Sequence, residues 1–250
     1  MTALRWTVRV LRYDQLTFWR VPAAVFFTVG MPVLMLTIFG SLNQDEGIEA
    51  ATGVPYTRYL VLGLVAFAIG TTAYGNMAAR TTFRREMGIY QRLRTTPLPV
   101  PALVVGQIVS AVLALALVIS VLLVVGVLWF EGTAPKDWPL FLAVLLLGTA
   151  ACCAIGMAVS TFVPSVETID PIVFATMLPV AFISGSFQHV GGDGWVARLA
   201  DLFPLRHILQ VVLRSFSVPG AVGSTWVHLA VVAAWGVGGA LVAVRRFRWS

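Results

Sequence analysis

In 250 residues the chain carries charge on only 11% of its side chains, while 58% are hydrophobic. A soluble domain covers its surface with about 25% charged residues, so water is excluded as the solvent for most of this surface and a bilayer is implied. The net charge of +6 does not point to nucleic acid, because sixteen of the seventeen basic residues are arginines and most flank apolar stretches, the pattern that orients a membrane protein.

Six windows contain no Asp, Glu, Lys or Arg: Val21–Gln44, Tyr59–Ala79, Thr95–Phe130, Trp138–Val166, Pro171–Gly192 and Ser215–Val244. A spanning helix needs about 20 mainly apolar residues, and each window supplies them. The windows are continuously apolar rather than alternating, which selects helices over a barrel. The predicted fold is an all-α membrane protein, a single transmembrane domain over 1–250 with spans at about 21–42, 59–79, 103–129, 140–162, 171–187 and 226–244. No cleavable leader is evident before the first window.

Residues 1–20 precede the first span. At 100° per residue Leu4, Val8, Leu11, Phe18 and Trp19 share one arc, with Arg5, Arg9, Arg12 and Arg20 beside it. This fits an interfacial helix with its arginines toward anionic headgroups; a basic tail that only sets orientation is the other reading. The second span changes character along its length, its later half holding Thr71, Thr72, Tyr74 and Asn76. Such groups line a wet pathway or bond between helices. Phe174 and Met177 of the fifth span are assigned to the same candidate lining.

Between spans two and three the chain reads Arg80-Thr-Thr-Phe-Arg-Arg-Glu-Met-Gly-Ile-Tyr-Gln-Arg-Leu-Arg-Thr-Thr-Pro-Leu-Pro. Projected as one helix over about 83–94, Phe83, Met87, Ile89, Tyr90 and Leu93 form an apolar arc, and Arg84, Arg85, Gly88, Gln91 and Arg92 the opposite one. A short helix of this kind suits the docking of a cytosolic partner, with Glu86 anchored to a backbone amide or to a partner's arginine and Gly88 permitting close approach. Pro97, Pro99 and Pro101 stop it. A solvated loop that only fixes topology fits the periodicity equally.

The fourth span carries small residues at Gly148, Cys152, Gly156 and Ser160, and the last at Gly236 and Ala240, which allow close helix packing. The adjacent cysteines Cys152 and Cys153 fit neither a disulfide framework nor a zinc spacing. From Phe187 to Ser224 lies a mixed segment whose stretch Leu205–Phe216 has helical periodicity; it is expected to dip into the outer leaflet and return.

Twelve basic residues fall on one side of the six spans, in the N-terminal segment, the loop after span two and the C-terminus, against five on the other. The positive-inside rule then places both termini in the cytoplasm. Trp19 and Trp249 fall at the inner ends, and Trp129, Trp138 and Trp226 at the outer ends, as headgroup-level aromatics do.

The run Arg85-Glu-Met-Gly-Ile-Tyr-Gln-Arg-Leu-Arg-Thr-Thr-Pro-Leu resembles the coupling helix of ABC-2-type transporter permeases. Downstream, Ser184-Gly185, Trp195, Phe203-Pro204-Leu205 and Arg214 resemble the Ser-Gly, Trp, Asn-Pro-Leu and terminal Arg pattern of that family. Phe203 departs from the Asn often found there, and the coupling segment is unusually rich in arginine. The resemblance covers essentially the whole chain. It implies a permease of the inner membrane, paired with a second copy or paralogue and with two ATP-binding subunits, and exporting an amphipathic or hydrophobic substrate such as a drug, antibiotic or lipid-like molecule, with antibiotic efflux among the expected roles. Phe83, Arg84, Arg85, Glu86, Met87, Gly88, Tyr90, Arg92, Leu93 and Pro97 would then couple the chain to its ATPase, and Ser184, Gly185, Trp195, Pro204 and Arg214 would form the external re-entrant motif.

No Gly-Lys-Ser/Thr loop for phosphate occurs, and the one lysine, Lys136, follows Pro135. The expectation is therefore no enzyme and no cofactor on this chain, with ATP and Mg held by the partner. Two rivals remain. A secondary transporter would place ionisable groups mid-membrane and show internal repeats, which the charge-free windows disfavour. A membrane-bound enzyme would need a site such as an external metal or catalytic cluster of His189, His207, His228, Asp193 and Asp201; ordinary interfacial residues are the alternative reading of those five.

Overall fold

The computed structural model describes residues 3–43, 48, 52–93, 99–130, 132–190 and 194–246. Its helices are α1 (Ala3–Trp19), α2 (Pro22–Leu42), α3 (Tyr56–Gly70), α4 (Asn76–Glu86), α5 (Ile89–Leu93), α6 (Val100–Trp129), α7 (Trp138–Ser160), α8 (Val166–Ser184), α9 (Trp195–Ala200), α10 (Pro204–Ser215) and α11 (Thr225–Arg246). A π-helical turn, Thr71–Gly75, joins α3 to α4. Among the described residues there is no strand beyond an isolated bridge between Ile48 and Pro55, and six helical runs are long and apolar enough to cross a bilayer.

Local chemistry sets the helix ends. Proline occupies the first turn of α2, α6, α7 and α10, where a missing N–H costs nothing. The Asp137 side chain accepts from the Leu140 amide at 3.0 Å and starts α7. α8 ends on Gly185, at φ 86, with Ser186 N–H returning to the Ala181 carbonyl at 3.0 Å; this left-handed stop favours glycine.

The second span is one continuous run, Tyr56–Glu86, seven residues longer at its end than the charge-free window Tyr59–Ala79 indicated. At 31 residues it reaches about 46 Å, well beyond the roughly 30 Å of hydrocarbon, so its last turns stand clear of the apolar layer. It is also the central helix. In its apolar window 83% of residues are buried, against 17% in the first and fifth spans, which fits a segment apolar on all sides.

Glycines let neighbours reach this centre. A Cβ on Gly63 would fall 1.9 Å from the Ser186 carbonyl oxygen, and one on Gly156 would fall 2.4 Å from the Tyr74 carbonyl oxygen. The small-residue stripe of α7 is therefore the seat of the second span at its π-turn. On the other side of α7, Gly236 and Gly239 of α11 make the close approach, with a Cβ at Gly239 only 2.8 Å from the Ile155 nitrogen; Gly239 fills the place assigned to Ala240. We expect Gly63→Ala to destabilise the protein by about 1–3 kcal/mol through overpacking, whereas Gly238→Ala, which meets nothing within 4 Å, leaves thermal unfolding of the purified protein unchanged.

α1 packs along the first turns of α6, with the side chain of Val10 and the Thr7 carbonyl against Gly106 and Gln15 donating to the Ser110 carbonyl and hydroxyl at 3.1 and 3.0 Å. The side of the helix turned to the protein runs Thr7, Val10, Leu11, Asp14, Gln15 and Phe18, with Asp14 and Phe18 buried; Leu4, Val8 and Trp19 of the expected apolar arc stay exposed. At the opposite end of the bundle α10 packs against α3, α7, α8 and α11, and ten of its twelve residues are buried.

Candidate functional site: the arginine-rich end of the second span

The last two turns of α4 carry Arg80, Arg84, Arg85 and Glu86, and each side chain reaches a different element. Asp14 of α1, 2% exposed, accepts from Arg84 Nη2 and from Arg80 Nη1 at 3.4 Å. Arg80 Nη1 also lies 3.3 Å from the Ser110 hydroxyl of α6. This pairing fixes the start of the chain to the second span. A carboxylate this deeply buried is tolerable only with such partners.

Arg85 and Glu86 take the turn between α7 and α8. Arg85 Nη1 donates to the Ser160 carbonyl at 2.7 Å, at the C-terminal end of α7, and Nη2 donates to the Val163 carbonyl in the turn just beyond it. Glu86 Oε2 accepts from the Val166 amide at 2.8 Å, the first residue of α8. The signs match the helix ends, since a cation suits unpaired C-terminal carbonyls and an anion suits unpaired N-terminal amides. Two adjacent residues thus grip both sides of one turn.

The segment is not one helix. α4 stops at Glu86, Gly88 adopts φ +64, and α5 begins at Ile89. A Cβ on Gly88 would meet nothing nearer within the chain than Gln91 Oε1 at 3.6 Å; here the glycine serves the left-handed turn. The break corrects the single-helix projection over 83–94. Phe83 and Met87 are exposed, at 46% and 54%, whereas Tyr90 is buried at 3%. The Tyr90 hydroxyl lies among Thr81, Gln107 and Arg84, and burial pushes its pKa up. Arg84 is likewise buried in its pair with Asp14. Tyr90 and Arg84 therefore hold the segment from within, while Phe83, Met87, Gln91 and Arg92 are exposed. Leu93 closes α5, and Pro97 lies outside the described residues.

The candidate lining divides. Thr72 and Tyr74 are buried inside the chain, with the Tyr74 hydroxyl 2.9 Å from that of Thr176 on α8, which fits bonding between helices. Thr71 bonds back to the Phe67 carbonyl at 3.0 Å, and Asn76 is half-buried. Met177 packs against Gly70, while Phe174 is 63% exposed. These six residues do not converge on one surface.

At the other end, Ser184 and Gly185 meet the start of α10. Arg206, two residues after Pro204, donates to the Val190 carbonyl at 2.9 Å and to the Ser184 carbonyl at 3.5 Å, and the Tyr59 hydroxyl donates to the Gly185 carbonyl at 2.6 Å. Arg214, at the far end of α10, donates to the Gly223 carbonyl and to Thr225 Oγ1 at 3.2 Å, tying α10 to the start of α11. Trp195 stands apart and is 77% exposed. The sequence marks Arg206 only as one of the five basic residues of the outer side and a charge of the Leu205–Phe216 stretch; its place just after Pro204 at a helix start is the signal for this further role. Of the five external candidates for a metal or catalytic cluster, His207 and His228 touch, His189 packs edge-on to Tyr59, Asp193 lies outside the described residues, and no group of three metal-capable side chains occurs among those described.

The profile of the ABC-2 type transporter family matches residues 7–216. The chain belongs to the ABC-2 type transporter family. The matched stretch takes in the Asp14 pairing, the Arg85–Glu86 grip and α10. Among the similar curated proteins, a putative transport permease, ycf38, of Porphyra purpurea is 26% identical over 207 residues, covering 81% of this chain and 70% of its own length. Its counterpart in Pyropia yezoensis is 26% identical over 200 residues, covering 78% and 68%. The inner membrane transport permease YadH of Escherichia coli K12 is 25% identical over 165 residues, covering 64% and 63%. As an ABC-2 family member the chain is a multi-pass membrane protein and the transport subunit of an ABC transporter, a partner for ATP-binding subunits rather than an enzyme.

Proposed function

We propose that this chain is the permease of an ATP-driven exporter and that the segment from Phe83 to Leu93 receives the stroke of the ATP-binding subunit. The observation that carries this reading is the grip of Arg85 and Glu86 on the α7–α8 turn. A push on the exposed Phe83 and Met87 reaches spans four and five through these bonds, and reaches α1 through Asp14. Two ATP-binding subunits, which hold the ATP and Mg, serve a pair of permeases, this chain with a second copy or a paralogue. Both termini lie in the cytoplasm of a cell whose inner membrane holds the complex. α1 lies along that membrane's inner surface, with Leu4, Val8 and Trp19 toward lipid, and α9–α10 form the external re-entrant element. The cargo is amphipathic or hydrophobic, of the drug, antibiotic or lipid-like kind, because the six charge-free windows of the spans offer no fixed charge to a polar one.

Inverted membrane vesicles holding the chain with its ATP-binding subunit test this. ATP added to the bath should drive a lipophilic fluorescent dye into them, and the same addition to right-side-out vesicles should do nothing. ATP-driven accumulation in right-side-out vesicles would reverse both the orientation and the direction of transport.

A further inference from the structure

The contact between α10 and α11 contains an arrangement that neutral histidines cannot satisfy. His207 and His228, 6% and 8% exposed, face each other with Nδ1 to Nδ1 at 2.7 Å. The other nitrogen of each ring is committed. His207 Nε2 lies 2.8 Å from the Asp201 carbonyl and His228 Nε2 lies 2.7 Å from the Val222 carbonyl. A carbonyl oxygen only accepts, so each Nε2 must carry a hydrogen. A neutral imidazole has one N–H, and with both placed on Nε2 the two Nδ1 lone pairs point at each other at hydrogen-bonding distance.

Three remedies exist. One ring can move its hydrogen to Nδ1, which turns an Nε2 lone pair onto a carbonyl oxygen in a buried place, at the cost of an unmade hydrogen bond. A metal ion can sit between the rings, but nitrogens at 2.0–2.1 Å from a tetrahedral zinc lie about 3.3 Å apart, wider than the spacing here, and no third ligand is at hand among the described residues. The third remedy is a single extra proton on the Nδ1–Nδ1 line, which satisfies all four nitrogens without moving an atom.

We propose that His207 and His228 form a binding site for one shared proton, which fastens α10 to the first turn of α11. The surrounding backbone is shaped to the pair. Gly223, at φ +80, brings the loop so near that a Cβ there would lie 2.8 Å from His228 Nε2, and the Gln210 side chain holds the Val222 amide at 2.9 Å, which sets the carbonyl that His228 uses. The charges around the site are mixed. The Asp201 carboxylate, 3.7 Å from Arg206 Nε, favours the proton, whereas Arg206 and Arg214 on α10 and the burial of the rings oppose it. The starts of α3 and α7, which also pack on α10, bring Arg58, Lys136 and Asp137; α11 and the loop before it bring no other charge until Arg245. The site takes one proton and refuses a second, because two Nδ1–H groups at this distance would collide. The contribution of the shared proton is present below the pH at which it leaves and is lost as pH rises through that point, when the lone pairs are left facing and the rings part.

Nitrogen-15 NMR of histidine-labelled full-length protein in lipid nanodiscs tests this directly, and His189→Gln leaves only the pair in view. As the pH is lowered, a state should appear in which three of the four ring nitrogens are protonated, with a scalar coupling between the two Nδ1 atoms across the shared hydrogen, and raising the pH should remove one proton and the coupling together. Two protonated nitrogens at every pH at which the protein stays folded, or a passage to four protonated nitrogens with no coupling at any point, would overturn the proposal. Loss of the coupling on adding zinc at that acidic pH, with both Nδ1 signals shifted, would assign the site to a metal instead. The measurement uses the native pair, so it does not depend on whether a variant at either position folds.

Discussion

Asp14→Ala should cost about 3–5 kcal/mol of stability, the penalty for leaving one partner of a buried ion pair without the other. Arg84 is itself buried and has Asp14 as its anionic partner; Arg80, with a side chain 24% exposed, shares the same carboxylate and can turn to water more readily. The change should appear as a lower yield of folded protein and a lower midpoint of thermal unfolding in detergent. The penalty lies in the stranded guanidinium rather than in the missing carboxylate. Asp14→Leu combined with Arg84→Met, which replaces the pair by apolar groups of similar size, should therefore recover most of the loss. If Asp14→Ala unfolds at the wild-type temperature, the pairing does not hold α1 to the second span, and force applied to α4 would not reach α1.

That pairing was not legible in the sequence, and the reason is physical. Charge-free windows locate hydrocarbon-spanning segments well, because a lone charge in a bilayer is expensive, and all six spans follow from them. The same criterion cuts a helix short wherever its charges are neutralised inside the protein. It ends the second span at Ala79, although Arg80 and Arg84 continue it by pairing with Asp14, which lies 66 and 70 residues earlier. Asp14 sat unremarked in an arginine-rich helix, since nothing local says which acid will be buried. The segment after the second span was legible as a residue pattern, but not as a shape. A projection over 83–94 assumes unbroken helical phase, and the left-handed Gly88 resets that phase and turns Tyr90 inward. The His207–His228 contact is invisible to periodicity, because it depends on how α10 folds back onto α11. The seat of α7 on the second span was readable at Gly148 and Gly156, since only small residues admit a neighbouring backbone.

Glu86→Ala should leave the protein folded and inserted yet largely abolish transport. The bond to the Val166 amide caps α8, and loss of a cap costs about 1 kcal/mol, which a six-span bundle tolerates. Its mechanical consequence is larger. With Glu86 gone α8 is released from α4 while α7 stays held by Arg85, so movement of the coupling segment shears the turn instead of carrying both spans. Arg85→Ala should do the reverse, freeing α7. If these charge-assisted bonds carry a coupling free energy of about 1–3 kcal/mol, either change lowers substrate moved per ATP roughly 5–150-fold. Glu86→Gln keeps an acceptor for the amide and loses the charge that favours a helix N-terminus, so it should fall between wild type and Glu86→Ala. Phe83→Ala and Met87→Ala act at a different step. If these exposed side chains receive the partner as proposed, their loss should weaken its retention on the permease and lower ATP hydrolysis together with transport. The decisive comparison is the ratio of efflux to ATP hydrolysis in proteoliposomes at equal permease content. A loop that only orients the chain predicts an unchanged ratio for all of these variants, because the arginines flanking the spans remain. A ratio that falls for Glu86→Ala and Arg85→Ala, but holds for Phe83→Ala as both rates drop, places transmission at the grip on the α7–α8 turn and reception one helical turn before it. Wild-type efflux by Glu86→Ala and Arg85→Ala would instead mean that the stroke enters the membrane through some other contact, and the segment would keep only its part in topology.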